Sequence, residues 1–146
     1  MGKLKILAAE DEKDVLEIMA KKLKAAGYAV VTALNGADAW AKIQRESPDI
    51  ILLDLNMPRM DGLTVLKNLR QNPPSAKWQP VIIISARTEL KDMKAGFDLE
   101  ADHYLTKPFQ MSDLLKAINL MEQLIPQRKS NSELKSQKKT DSPESK

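Results

Sequence analysis

Apolar residues along this chain fall into two rhythms that alternate from one end of the body to the other. Short apolar runs with strand character cover residues 3–8, 28–34, 50–53, 81–85 and 103–107. Between them lie stretches whose apolar residues recur every three or four positions, the signature of a helix with one buried face. The first such helix spans residues 13–26 and turns Leu16, Met19, Leu23 and Ala26 to one side. The second runs from Asn35-Gly36 to Glu46 and buries Ala37, Trp40, Ala41 and Ile43. The third starts at Asp61-Gly62 and ends near Gln71, with Leu63, Leu66 and Leu69 or the stem of Arg70 inward. A fourth, residues 89–96, carries Leu90, Met93 and, just past its end, Phe97. The fifth, residues 111–125, presents Leu114, Leu115, Ile118, Met121 and Ile125.

Two strands settle the architecture. Ile50–Leu53 and Val81–Ile84 show no polar alternation, so neither has a face for water. Both belong in the centre of a parallel sheet covered by helices on each side. Strand and helix alternate five times, and right-handed crossovers connect them. The fold class is therefore α/β, a doubly wound five-stranded parallel sheet with five helices.

The rhythm stops near Ile125. Residues 126–146 are rich in Ser, Lys and Gln with one leucine, and are expected to form a disordered basic tail or linker behind a body of residues 1–125. Six basic and three acidic residues in that tail account for the whole net charge of +3. The body is neutral, which offers no footprint for direct nucleic-acid binding. No apolar stretch approaches the roughly 20 residues of a membrane span. The opening segment lacks both the apolar core of an export signal and the Ser or Thr at the sixth residue of a myristoylation pattern. Cysteine is absent, which excludes disulfides and thiolate metal sites. These features lead to an expectation of a cytoplasmic protein.

In an open α/β sheet the chemistry gathers outside the carboxyl ends of the strands. Read that way, the first strand delivers Glu10 and Asp11, the third Asp54, the fourth Ser85 and the fifth Lys107. No strand brings a comparable cluster to the opposite edge. Three carboxylates on one rim repel, and one would take up a proton unless a cation intervened. Lys107 supplies one positive charge, and a hard divalent ion with oxygen ligands, Mg2+, supplies more. Such a rim suits a phosphoryl group. Asp54 can serve as a carboxylate nucleophile, while Ser85 and Lys107 address the phosphoryl oxygens. Taken singly, the same residues have plainer uses: Asp54 as a turn cap, Glu10 and Asp11 as helix N-terminal acids, Lys107 as a surface lysine, and Tyr104 as a packing residue. His103 is expected to be exposed.

The motifs AAEDE, LLDLNMPRMDG, IIISA and YLTKPF, in this order and spacing, resemble the receiver domain of bacterial two-component response regulators. The resemblance covers about residues 3–125. It implies the strand order 2-1-3-4-5, the flavodoxin-like arrangement. It further implies that Asp54 is the phosphoacceptor and that Asp11 binds the metal directly with Glu10 beside it. The backbone carbonyl of Asn56 would complete the metal's protein ligands. Lys107, followed by a cis bond to Pro108, would contact the phosphoryl group, and Ser85 and Tyr104 would form the switch pair. Arg87 and Asn56 would tune the lifetime of the phosphate. Glu10 stands where Asp is more usual, Glu100 where glycine is common, and His103 where many members have a second Asp. The implied partner is a histidine kinase or phosphotransfer protein, with an unknown downstream protein target. The chain is expected to be a monomer or a phosphorylation-dependent dimer, and to act on no substrate but its own phosphate. Two rivals stand beside this reading. One is a receiver fold working as an interaction module without phosphorylation. The other is a phosphohydrolase, which would want an acid where Asn56 stands.

Overall fold

A computed structural model describes residues 4–86 and 90–125, and at residues 90–93 only the backbone. Arg87, the tail, the first residue of the expected first strand, and the Leu90 and Met93 side chains lie outside the described residues. The elements are β1 (Lys5–Ala9), α1 (Lys13–Ala25), β2 (Ala29–Ala33), α2 (Gly36–Glu46), β3 (Ile50–Asp54), α3 (Gly62–Gln71), β4 (Val81–Ser85), α4 (Leu90–Asp98), β5 (His103–Thr106) and α5 (Met111–Leu124). All four strand pairings are parallel and the order is β2-β1-β3-β4-β5. The expected elements are all present, with ends displaced by a residue or two.

The two strands without alternation lie where that pattern requires. Every residue of β3 and β4 is buried. Because successive side chains point to opposite faces, the sheet feeds two separate cores. Leu7, Ile51, Leu53, Val81 and Ile83 meet Ala39 and Ile43 of α2 and Val65, Leu66 and Leu69 of α3. Ile6, Ile50, Leu52, Ile82 and Ile84 meet Leu16, Met19 and Leu23 of α1 and Leu114, Ile118 and Met121 of α5.

Some inward positions differ from the expected stripes. Ala26 is exposed, because α1 ends before it and Ala26 is its C-cap; Ala20 takes the buried place. On α2 it is Ala39, four residues before Ile43, that is buried, while Trp40 and Ala37 flank the stripe and Ala41 faces out. An alanine carries too little hydrophobicity to mark its own face. Val65 joins Leu66 and Leu69 as the buried stripe of α3, leaving Leu63 half-buried. Leu115 and Ile125 are half-buried at the flank of the α5 stripe. Phe97 is 48% exposed, although its ring lies 6.4 Å from that of Tyr104. His103 is half-buried, and its Nδ1 is buried without a hydrogen-bond partner among the described residues. Among those residues no helix is long and apolar enough to cross a membrane.

Candidate functional site

The register carries the acids to one level. Ala9 pairs with Leu53, so Glu10 and Asp54 leave adjacent strands side by side at the carboxyl edge. The Glu10 N–H donates to the Ala33 carbonyl at 3.1 Å, which keeps its backbone attached to the sheet. Asp54 pairs with Ile84, placing Ser85 one residue further out, and the Lys107 N–H donates to the Ser85 carbonyl at 2.8 Å.

At the centre is one ammonium. Lys107 Nζ donates to Glu10 Oε1 at 2.6 Å and to Asp54 Oδ2 at 2.8 Å. Each carboxylate uses its other oxygen in the same manner. Glu10 Oε2 accepts the Glu12 N–H at 3.1 Å, and Asp54 Oδ1 accepts the Asn56 N–H at 2.9 Å. Glu10 is 1% exposed and Asp54 3%, whereas Asp11 faces solvent. A carboxylate oxygen from each of the three lies within 4.8 Å of the others. The Lys107–Pro108 peptide is cis.

The charges do not balance. Burial pushes the Glu10 carboxyl above the ordinary carboxylate range, the Asp54 charge adds to that, and the bonds from Lys107 and the Glu12 N–H only partly oppose it. Burial also works against the Lys107 ammonium, but its bonds to Asp54 and Glu10 outweigh this and raise it above the usual lysine value. Among the described residues, two buried carboxylates share the one ammonium of Lys107, with a third carboxylate at the rim beside them. A small divalent ion with oxygen ligands fits this donor set, since it brings the missing charge and its ligands are already convergent.

Two glycines support the rim in a way the sequence did not reveal. A Cβ on Gly62 would stand 2.3 Å from the Asp54 carbonyl oxygen, and one on Gly36 would stand 1.6 Å from that of Met60. The loop between β3 and α3 is therefore pressed against both the phosphoacceptor candidate and the start of α2. Asp61 caps α3 by accepting the Thr64 N–H at 2.9 Å. The Asp-Gly pair signalled a turn, but nothing in it signalled a backbone in contact.

The remaining predicted residues occupy nearby but distinct places. Ser85 is fully buried at the end of β4. Asn56 is exposed beside Asp54. Tyr104 is only 9% exposed, with Gly96 of α4 close enough that a Cβ there would lie 3.8 Å from its ring. The tyrosine is thus already inward. Charge at the opposite edge comes from helix ends and loops rather than strands, in the half-buried Arg70–Asp102 pair and the Lys77–Asp49 pair.

A flavodoxin-like sheet whose carboxyl edge gathers three carboxylates and a lysine defines a class of small α/β signalling domains. Residues 6–119 match the family described as response regulator receiver domain. The chain belongs to that family and is the receiver domain of a two-component response regulator. It is 36% identical over 118 residues to the response regulator MprA of Mycobacterium leprae, covering 81% of this chain and 50% of that protein. The chain spans about half the length of the curated relatives it matches. Among solved structures, the chemotaxis protein CheY4 of Vibrio cholerae superposes with a TM-score of 0.76 at 31% identity, over 82% of this chain and 99% of that one. The CheX–CheY–BeF3–Mg complex of Borrelia burgdorferi gives 0.72 at 25% identity, over 79% and 86%.

Proposed function

We propose that the domain is a cytoplasmic phospho-accepting switch, phosphorylated on Asp54 with Mg2+ by a histidine kinase or phosphotransfer protein. The observation that carries this reading is the single Lys107 ammonium bridging two buried carboxylates, with Asp11 at the rim beside them. Asp54 stands at the phosphoacceptor position of the family motif, and its carboxylate oxygen would attack phosphorus as the donor's phosphorus–nitrogen bond breaks. Lys107 would follow the charge onto the phosphoryl oxygens, and Ser85 would donate to one of them. Glu10, Asp11, Asp54 and the Asn56 carbonyl are the residues that would hold the metal. When bound, that ion would neutralise charge on the transferring group. The beryllofluoride and magnesium named for the Borrelia complex support the same chemistry here.

A donor must bring its phosphoryl group up to Asp54. An apolar hollow of about 480 Å³ beside Lys107, lined by Val15, Ile18, Met19, Phe109 and Met111, offers a place for it to rest. Because Tyr104 is already buried, the switch would consist of how often it occupies this position rather than a move into an empty one. The face of α4, β5 and α5 would change with it and select the downstream protein, as monomer or phosphorylation-dependent dimer. Residues 126–146 would serve as tail or linker, and the body would neither bind nucleic acid nor turn over other substrates.

Acetyl phosphate, or beryllofluoride with magnesium, should modify or bind the wild type and leave Asp54→Ala untouched. A mass gain or fluorine resonance persisting in Asp54→Ala would overturn the assignment.

A further inference from the structure

We infer that the groove between α1 and the outer strand β2 is a docking surface for an acidic amphipathic helix of a partner protein. The two faces of the sheet are covered unequally. Helices α2, α3 and α4 pack on one face, whereas α1 and α5 cover the other. Five strands about 4.8 Å apart span about 19 Å, and neighbouring helices lie roughly 8–10 Å apart. Two helices therefore leave an edge thinly covered on their face. The thin cover falls at β2, where four of five residues are half-buried, while every residue of β3 and β4 is buried. Leu34, one residue beyond the strand, is 42% exposed. The uncovered strip is a groove of about 390 Å³ lined by Leu16 and Ala20 of α1 and by Thr32 and Leu34.

Charge selects the occupant. Lys13, Glu17, Lys21 and Lys24 also line the groove, as one exposed stripe along α1. Three cations stand there against one acid, in a body that is neutral as a whole. Among the described residues none of the three lysines is paired with a carboxylate, although Glu17 stands four positions from both Lys13 and Lys21. Lys42 of α2 has a different part. Held by Asp38 at 3.0 Å, it donates to the Thr32 carbonyl at 2.6 Å and blunts the outer edge of β2 against an added strand. A helix laid beside α1 meets no such obstacle. From Lys13 to Lys24 the stripe rises about 16 Å, or three turns. A helix of that length, apolar at every third or fourth position, would set those residues against Leu16, Ala20 and Leu34 and its flanking carboxylates against the lysines. None of these side chains belongs to the carboxyl-edge site, so the inference does not depend on the phosphoryl chemistry.

The test is a methyl and amide NMR titration of the full chain with a synthetic peptide of about three helical turns. It is capped at both ends and made of Leu, Ala and Glu, with leucines at helical spacing and glutamates on both flanks. Saturable shifts are expected at Leu16, Ala20, Thr32 and Leu34. Affinity should fall roughly tenfold when Lys21→Glu and Lys24→Glu are combined, and should fall in Leu34→Asp as well. All three positions are exposed, so spectra of the variants should match the wild type away from the groove. No saturable shift in the wild type would overturn the inference, as would undiminished binding by the charge-reversed chain. A scrambled peptide of the same composition that bound as tightly would remove the helical occupant. The same shifts from a single-stranded oligonucleotide or phosphatidylserine vesicles would reduce the surface to a general anion patch and overturn the inference too. An extended acidic peptide that protected the Val30 and Thr32 N–H groups where the helical one failed would make β2 a pairing edge and refute docking of a helix.

Discussion

Both edges of the sheet draw charged side chains out of water, and they do so with opposite results. At the amino edge the half-buried Arg70 donates through Nε and Nη2 to the Glu100 carbonyl, through Nη1 to the Gln79 carbonyl, and through Nη2 to Asp102 at 3.0 Å. The same Asp102 oxygen accepts the Val81 N–H. Lys77 meets Asp49, whose other oxygen accepts the Lys5 N–H. Among the described residues, each of these cations meets a carboxylate, and neutral carbonyls take further donors. At the carboxyl edge a single described ammonium bonds two buried acids, with Asp11 at the rim beside them. The matched edge fastens the ends of α3, β4 and β5 together. The unmatched edge keeps an unmet demand for positive charge, which is a capacity to bind.

The largest effect should come from breaking the matched edge. Arg70→Met removes the guanidinium from half-buried Asp102 and from the Glu100 and Gln79 carbonyls, so a loss of about 3 kcal/mol in urea unfolding is expected, toward the low end for a broken buried pair. Its response to magnesium should survive. An ion at a hundredfold excess over its dissociation constant stabilises by about 2.7 kcal/mol, and that increment should match the wild type's. An Arg70→Met protein that lost the increment would show that the two edges are coupled.

Gly62→Ala addresses the other edge by sterics alone. Its new methyl meets backbone, not a flexible side chain, so β3 and the loop after it must part. About 2 kcal/mol of stability should go, within the usual cost of overpacking, and the magnesium increment should go with it. Stability lost with the increment intact would place the strain somewhere other than Asp54.

Charge can be altered without changing shape. Glu10→Gln removes an acid whose ionised form the folded state disfavours, so the metal-free variant should gain stability near neutrality. The sign follows from proton counts. Between the ordinary carboxylate value and the raised value of Glu10, the folded state holds more protons than the unfolded one. Wild-type stability therefore falls as pH climbs through that window and is level above it. The difference between wild type and variant, measured from acid to neutral pH without metal, isolates this one group. A difference that grew with falling pH would reverse the assignment.

The two edges were also unequally legible in the sequence. The carboxyl edge could be read because strand ends are marked by where apolar runs stop, and Glu10, Asp54, Ser85 and Lys107 each stand at such a stop. Parallel pairing then brings them together whatever the details. The amino edge could not be read. Arg70 closes a helix, Asp102 follows a turn, and their meeting depends on how α3 lies against β4, which periodicity does not specify. The Gly62 and Gly36 approaches escaped for a similar reason: a glycine announces freedom of the backbone, not what lies 2.3 Å away. His103 was placed outside because histidine is polar, but β5 turns it toward the side of the sheet that α5 covers.

Glu100 connects the two halves of that lesson, since its residue type looked anomalous and only the geometry explains it. It takes a left-handed conformation, φ 66°, in the turn between α4 and β5, where glycine would be free of strain. The carbonyl of that turn is what Arg70 holds through two nitrogens. Glu100 itself is exposed, so its side chain contributes little. Glu100→Gly should therefore keep the Arg70 bonds, relieve the strain and surrender some unfolded-state entropy, for a net gain of about 0.5 kcal/mol. In the Arg70→Met background the same change should help more, because an unheld turn has only its intrinsic preference to rely on. A double-mutant cycle measures this. If the two changes were additive, the guanidinium would not be what keeps a strained residue in place, and the amino edge would be held by Asp102 and Val81 alone.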